Sequence, residues 1–345
     1  MLAHNNRDVT LSKPARRVSV KDVAAQVGVS FQTTSKVLNG GGTVYEVTRA
    51  RILQVASDLG YVPNLQARSL VMQRTRTVGL VAGDFSDPNL SRFNLGAEQE
   101  ARRQGYGVLI AGIEPQGSGT EYALPALMER RVDGILLAAP QMEDDHALAH
   151  VLDKSLPVVS LYPVPGGGIA TVGSDQELAG LLATKHLVAR GHKAIAMVIG
   201  IRARRVTEDR LRGYRRALAE ARLRLDERLV AEGGGDLMLA GVAAMDLLRR
   251  VPEVTAIFAQ NDNMAIGVLN ALRDGGKRVP QDCAVVGCDD IDMAAFTVPP
   301  LTTVRVPFYE AGAQGMRLLI EMITAGSVAQ RNVLLPVQLV TRATT

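Results

Sequence analysis

The chain has 345 residues, with 39 Lys and Arg against 35 Asp and Glu, a formal net charge of +4, two cysteines and no Trp. Two cysteines exclude a disulfide-stapled scaffold, and no apolar run reaches the roughly 18 residues that a membrane-spanning helix needs. The first 17 residues are polar, without an apolar stretch suited to export, so a disordered leader on a cytoplasmic chain with two reduced thiols is expected.

The segment from 18 to 40 reads as two short helices joined by a tight turn. Ser19, with Asp22 three residues on, can cap a first helix carrying Val20, Val23, Ala24 and Val27. Gly28 ends it, and Ser30 can cap a second helix from Phe31 to Leu38. Eight residues make a rod of about 12 Å, comparable to the width of a DNA major groove. Thr34, Val37 and Leu38 fall on the side facing the first helix. Phe31, Gln32, Thr33, Ser35 and Lys36 are left outward, and Gln and Lys are suitable readers of base edges.

Residues 1 to 77 hold 11 Lys and Arg and four Asp and Glu, a net +7, whereas the remainder carries −3. A basic head implies an anionic partner, and the segment lacks the broad basic amphipathic helix that a membrane surface would favour. Ile52, Val55, Ala56 and Leu59 lie at helical spacing between Thr48 and Leu59, giving a third helix to cover the first two. Residues 63 to 77 follow. Pro63 breaks the chain, Asn64 can cap, and Leu65 to Val71 make about two turns, too short to stand alone in water.

Beyond residue 77, aliphatic runs at 78–82, 107–111, 133–138, 157–161, 194–199, 255–259 and 283–288 alternate with helical segments. That alternation predicts an α/β body of parallel sheets buried on both faces, and its length calls for two lobes. Ligands in open parallel sheets bind beyond the carboxyl ends of the strands. Candidates there are Asp84, Phe85 and Asp87 after the first run, Asn261 and Asp262 after 255–259, Asp289 after 283–288, and Arg210 early in the helix after 194–199. An Arg fork opposite carboxylates and amides can hold vicinal hydroxyls or a small anion. Asp262 reads equally well as the cap of the following helix. Phe85, Tyr162, Phe258 and Phe308 are candidate apolar walls.

Enzyme signatures fail. No G-x-G-x-x-G follows a strand, the Gly112 to Ser118 segment has Ser118 where a phosphate-binding Lys belongs, and His146 and His150 form a helix face rather than a metal set. Neither a catalytic group, a metal nor a cofactor is expected.

The motifs DVA (22–24), GVS (28–30), S-K-V-L-N (35–39), GYVPN (60–64), A-R-S-L (67–70), RVDGILL (131–137), NDNMAIG (261–267), VVGCDD (285–290) and PPLTTV (299–304) occur in the order found in the lactose-repressor/galactose-repressor family of bacterial transcription regulators. The chain resembles that family from residue 18 to about 343. The resemblance implies a helix-turn-helix head (18–63), a hinge helix and linker (64–77), and a periplasmic-binding-protein-like body (78–345). Lobe 1 would span about 78–173 and 306–334, lobe 2 about 174–305 and 335–345. It implies that Ser30, Phe31, Gln32, Thr33, Ser35, Lys36 and Asn39 face DNA. Asn64 would begin the hinge helix, Ala67 would lie where two symmetry-related helices approach, and Leu70 would wedge into the minor groove. Arg210 and Asp289 become the polar anchors of an effector, with Asn261 close by. Lys36 stands where relatives usually have Arg, Tyr45 where a small residue is common, and Tyr162 where several sugar-responsive members have Asp. The expected function is a repressor acting as a homodimer on a pseudo-palindromic operator, released or recruited by a sugar-like metabolite between the lobes. The alternative is a small-molecule sensor without specific DNA binding.

Overall fold

A computed structural model describes residues 18–41, 43–62, 74–113, 121–143, 145, 146, 148, 156–164, 168–326 and 331–345. It divides into two compact units, residues 1–75 and 76–345. The expected leader and hinge helix, including Asn64, Ala67 and Leu70, lie outside the described residues, as does His150.

In the first unit, α1 (Val20–Val27) begins with a complete capping box. Ser19 Oγ accepts from the Asp22 amide and the Asp22 carboxylate accepts from the Ser19 amide at 2.7 Å. Gly28 closes the helix at φ +78°, in the left-handed region that glycine enters without cost. The second helix, α2 (Phe31–Leu38), is capped by Ser30, whose hydroxyl accepts from the Thr33 amide at 3.1 Å. The third, α3 (Glu46–Asp58), starts two residues before the Thr48 that apolar spacing suggested, with no side-chain bond from Tyr45. Its first turn is polar, so the hydrophobic pattern could not mark it. Val23, Val27, Val37, Ile52 and Ala56 make the core of the three helices.

The second unit holds two six-stranded sheets among the described residues. Sheet one contains β1 (Thr77–Ala82), β2 (Gly107–Gly112), β3 (Ile135–Ala138), β4 (Val158–Ser160), β5 (Ala170–Ser174) and β11 (Asn332–Leu335), in the order β11-β5-β4-β3-β1-β2. Sheet two contains β6 (Ile195–Ile199), β7 (Val230–Glu232), β8 (Ala256–Ala259), β9 (Ala284–Asp289), β10 (Thr302–Arg305) and β12 (Gln338–Val340), in the order β12-β10-β9-β8-β6-β7. Pairing is parallel except for β12 on β10. The chain passes from sheet one to sheet two after β5, returns after β10, and crosses again between β11 and β12.

Helices α4 (Pro88–Arg103), α5 (Ala123–Glu129) and α10 (Phe308–Ala325) belong with sheet one; α6 (Gln176–Ala189), α7 (Arg205–Glu220), α8 (Leu237–Arg250) and α9 (Asp262–Asp274) belong with sheet two. β1, β3, β4, β6, β8 and β9 are buried almost throughout, as a sheet covered on both faces requires. Phe258 in β8 is wholly inside this core, which corrects its reading as a cleft wall: β8 is a central strand and directs the ring under the helices. Cys283 and Cys288 are both buried free thiols, and burial pushes Cys283 up to about 12.

Candidate functional site

On α2 the buried side chains are Thr34 and Val37, and Thr34 returns its hydroxyl to the Ser30 carbonyl at 3.2 Å. Phe31, Gln32, Lys36 and Asn39 are exposed, while Ser30 and Thr33 share a hydroxyl–hydroxyl bond of 2.8 Å. Asn39 ends the helix and donates Nδ2 to Ser35 Oγ at 3.3 Å. Phe31 is 49% exposed, far more than an ordinary small-domain Phe. The outer row of α2 therefore takes no part in the head's own packing and offers the Gln32 amide and the Lys36 ammonium to solvent.

In the larger unit a cleft of about 600 Å³ opens at the carboxyl ends of both sheets. At its centre Arg210, on the second turn of α7, is 4% exposed and spreads its guanidinium over three acceptors. Nε donates to Gln176 Oε1 at 2.8 Å, Nη2 to Asp289 Oδ1 at 2.9 Å, and Nη1 to the carbonyl of Gln260. Asp289 receives Asn89 Nδ2 on its other oxygen at 2.8 Å. Burial pushes the Asp289 carboxyl upward and the Arg210 charge pulls it back.

The backbone under these residues is set by close packing. An α6–α7 crossing places Gly180 so near Arg210 that a Cβ there would lie 2.0 Å from the Arg210 carbonyl oxygen. Only glycine permits that approach. Asp289 and Asp290 both have positive φ, +118° and +55°, a corner that costs non-glycine residues about 1–3 kcal/mol each. Four contacts hold it. The Asp290 amide donates to Thr303 Oγ1 at 3.3 Å, the Ile291 amide to Asp262 Oδ2 at 2.9 Å, and Arg305 and Arg342 bind the Asp290 carboxylate at 2.7 and 2.6 Å.

Asp262 is thus a buried support and not the helix cap that its position suggested. The cap of α9 is Asn261, whose Oδ1 accepts from the Met264 amide at 2.8 Å. Asp262 also accepts Thr303 Oγ1 at 2.6 Å, and burial first, then the neighbouring Asp289 charge, pushes its carboxyl up to about 7.

The cleft gathers Asp87, Tyr162, Arg210, Asn261, Asp289 and Phe308. It leaves out Asp84 and Phe85: Asp84 is exposed and accepts from the Ser86 amide in a turn, and Phe85 is 51% exposed. The loop after β1 bends away before α4 begins, so only its last residue, Asp87, reaches the cleft. Sequence reading missed Asn89, Phe93, Gln176 and Gln260. Phe93 meets Tyr162 and Phe308 edge-on, at ring-centre distances of 6.0 and 5.1 Å. Gln260 follows a recognised strand directly and could have been found from that position; Phe93 sits a turn and a half into α4, where strand-end logic does not reach.

The lobes touch across the cleft. Besides Asn89 to Asp289, Arg92 on α4 binds the Asp292 carboxylate and the Asp290 carbonyl, and Arg204 before α7 donates to the Pro140 carbonyl at 3.1 Å. No helix among the described residues is long and apolar enough to cross a membrane.

Residues 19–64 match the description "Bacterial regulatory proteins, lacI family", and residues 184–345 match a periplasmic binding protein-like domain. The HTH-type transcriptional repressor PurR of Vibrio atlanticus (strain LGP32) is 34% identical over 308 residues, covering 88% of this chain and 92% of that protein. The HTH-type transcriptional regulator CelR of Thermobifida fusca is 36% identical over 341 residues, covering 95% and 98%. Among solved structures, a Lac repressor dimer bound to operator and the anti-inducer ONPF superposes with a TM-score of 0.85 at 29% identity, covering 96% of this chain and 99% of that one. A CelR–cellobiose complex gives 0.72 at 33% identity, covering 95% and 100%.

Proposed function

The chain belongs to the lacI family of bacterial regulatory proteins, and from that premise we propose that it represses transcription as a cytoplasmic homodimer whose hold on operator DNA is set by a small molecule in the cleft. The observation that carries the DNA half is the outer row of α2. Gln32 and Lys36 face solvent, one turn apart, on a helix whose other face is the core of the head. In this reading Phe31 and Gln32 read bases, Lys36 contacts a guanine as a point charge, and Ser30, Thr33, Ser35 and Asn39 position the helix on phosphate. Asn64, Ala67 and Leu70 form the minor-groove element.

The effector half rests on Arg210 and Asp289, with Asp87, Asn261, Tyr162 and Phe308 around them. Because Asn89 and Arg92 bond from lobe 1 to lobe 2, a ligand lodged between them changes the interlobe geometry, and linkage carries that change to DNA affinity. A second copy of the chain is favoured by apolar side chains left in solvent: Met238, Leu239 and Val242 on α8 are 76, 57 and 63% exposed, and Met293, Phe296 and Val298 after β9 are 59, 76 and 92% exposed. Two-fold symmetry then doubles the head's few contacts on matched half-sites.

Selection of bound fragments from a random duplex pool tests the reading. Enrichment of one pseudo-palindrome, with affinity falling steeply as salt rises, is the expected result. A weak, flat response on every duplex would reject repression and leave a sensor.

A further inference from the structure

We propose that the cleft selects an uncharged, hydroxyl-rich ligand and discriminates against phosphate esters and carboxylates of the same carbon skeleton. This deepens the effector reading above and rests on it.

Two of the four cations that line the cleft are already paired with carboxylates. Arg210 is neutralised by Asp289, and three of its five N–H donors go to Gln176, Gln260 and Asp289. Arg212 pairs with Asp209 at 2.6 Å and with Glu177 at 3.4 Å, and Arg204 is tied to Pro140. Arg205 alone among the lining guanidiniums has no hydrogen bond to a described residue. It sits exposed on the first turn of α7, with Asp209 one turn further on. Against these four cations the lining contributes six carboxylates, from Asp87, Glu143, Asp175, Glu177, Asp209 and Asp289. An anion would enter a net negative space with no unpaired cation at its centre. The Tyr162 phenol reports the same field: burial pushes it well up, and the charges of Glu143, Asp87 and Asp289 add to that against Arg210.

Much of the hydrogen-bonding capacity that is left is of acceptor type. Asp87 and Asp175 cap their helices through Oδ1, which leaves Oδ2 of each for a ligand. Asn89 Oδ1 and Ser174 Oγ are shielded from solvent and have no partner. Both residues line the cleft. Carboxylate and amide oxygens require donors, which a sugar hydroxyl supplies and a phosphate dianion or carboxylate does not. A buried acceptor that gains no donor is penalised, so an anionic group set against these oxygens weakens binding. Phe93 and Phe308, with the ring of Tyr162, supply an apolar wall for the C–H face of such a ring.

The experiment is thermal denaturation of the full chain, titrated with a panel of neutral mono- and disaccharides that includes cellobiose and ribose. A matched panel of their phosphate monoesters and inorganic phosphate alone run beside it. Expected is concentration-dependent stabilisation by at least one neutral sugar, at least tenfold weaker binding of its phosphate ester, and loss of the response in Asn89→Leu. That variant removes the interlobe amide from a half-exposed first turn and folds even if Arg210→Met does not. A phosphate ester that binds as tightly as its parent, stabilisation by phosphate alone, or silence of both panels would overturn the selection proposed. If a phosphate ester binds and Arg210→Met abolishes it, the cleft stands as the effector site and only the neutral class falls. A sugar response that survives Arg210→Met and Asn89→Leu would remove the cleft itself.

Discussion

Replacing Arg210 by Met should destabilise the folded body far more than the loss of any surface ion pair. Arg210 is 4% exposed and Asp289 is 5% exposed, so removing the guanidinium leaves a carboxylate inside the protein with Asn89 as its remaining partner. It also strips the donors from Gln260 O and Gln176 Oε1. Breaking a buried pair on one side costs about 3–5 kcal/mol, against a total stability of about 5–15 kcal/mol for a typical protein. The exposed pair Arg278–Asp282, at 2.7 Å, has an equally short contact but should contribute far less, because water screens it. Burial decides between them, not distance. The assay is urea denaturation at neutral pH of wild type, Arg210→Met, Asp289→Asn and the double variant. Asn tolerates the positive φ at 289, so the second substitution tests charge rather than backbone. The double variant should be more stable than the sum of the single losses predicts, by about 1–3 kcal/mol. Additivity within about 0.5 kcal/mol would refute the claim that these two groups are a coupled buried pair.

Gly180→Ala should lower stability by about 1–3 kcal/mol through the α6–α7 crossing; since the added carbon meets the Arg210 carbonyl, ligand-dependent stabilisation should be lost with it, and a variant that binds normally would show that the crossing does not set the anchor. Asp262, raised to about 7 in the folded chain from about 3.8 unfolded, binds a proton on folding between those values, so its burial penalty is absent below pH 4 and complete above pH 7. Stability should therefore contain a term that falls by about 4 kcal/mol as pH rises through that window, and Asp262→Asn should lack it; urea midpoints at pH 5 and 7.5 whose difference is the same in both proteins would count against it. Glu100, held at about 2 by Arg103, Gln104 and Arg317, works in the opposite sense, and Glu100→Gln should remove stability that is present above pH 4.5 and lost as pH falls toward 2. Ser19→Ala should cost the head about 0.5–2 kcal/mol, read as a lower melting temperature of its helical signal, because the capping box loses its acceptor.

What could be read from the residues was whatever is local. Ser19, Asp22, Gly28 and Ser30 announce two helices and a turn through caps that depend on neighbours in sequence, and the structure has those caps. The central strands were legible because two-sided burial leaves unbroken aliphatic runs. The strands β5 (ATVGS), β7 (VAE), β10 (TTVR), β11 (NVLL) and β12 (QLV) were not, since each is short or half polar and is defined by what it pairs with. The cleft divides the same way. Arg210 and Asp289 stand where strand ends predict them, whereas Asn89 meets Asp289 across 200 positions of chain, a juxtaposition no spacing rule encodes. Asp84 and Phe85 show the converse error: closeness to a strand end does not say which way the loop turns.

Asp290 has Arg305 and Arg342 clamped to its carboxylate, and Arg305, the last residue of β10 and opposite Gln338 at the start of β12, sits beside two of the three passages between lobes. The residue next in sequence to Asp289 is therefore fastened to a strand by which the chain passes between the lobes. Because the corner at Asp289 and Asp290 is bonded to a crossing strand rather than left as a free loop, any change in it is felt first where the lobes join.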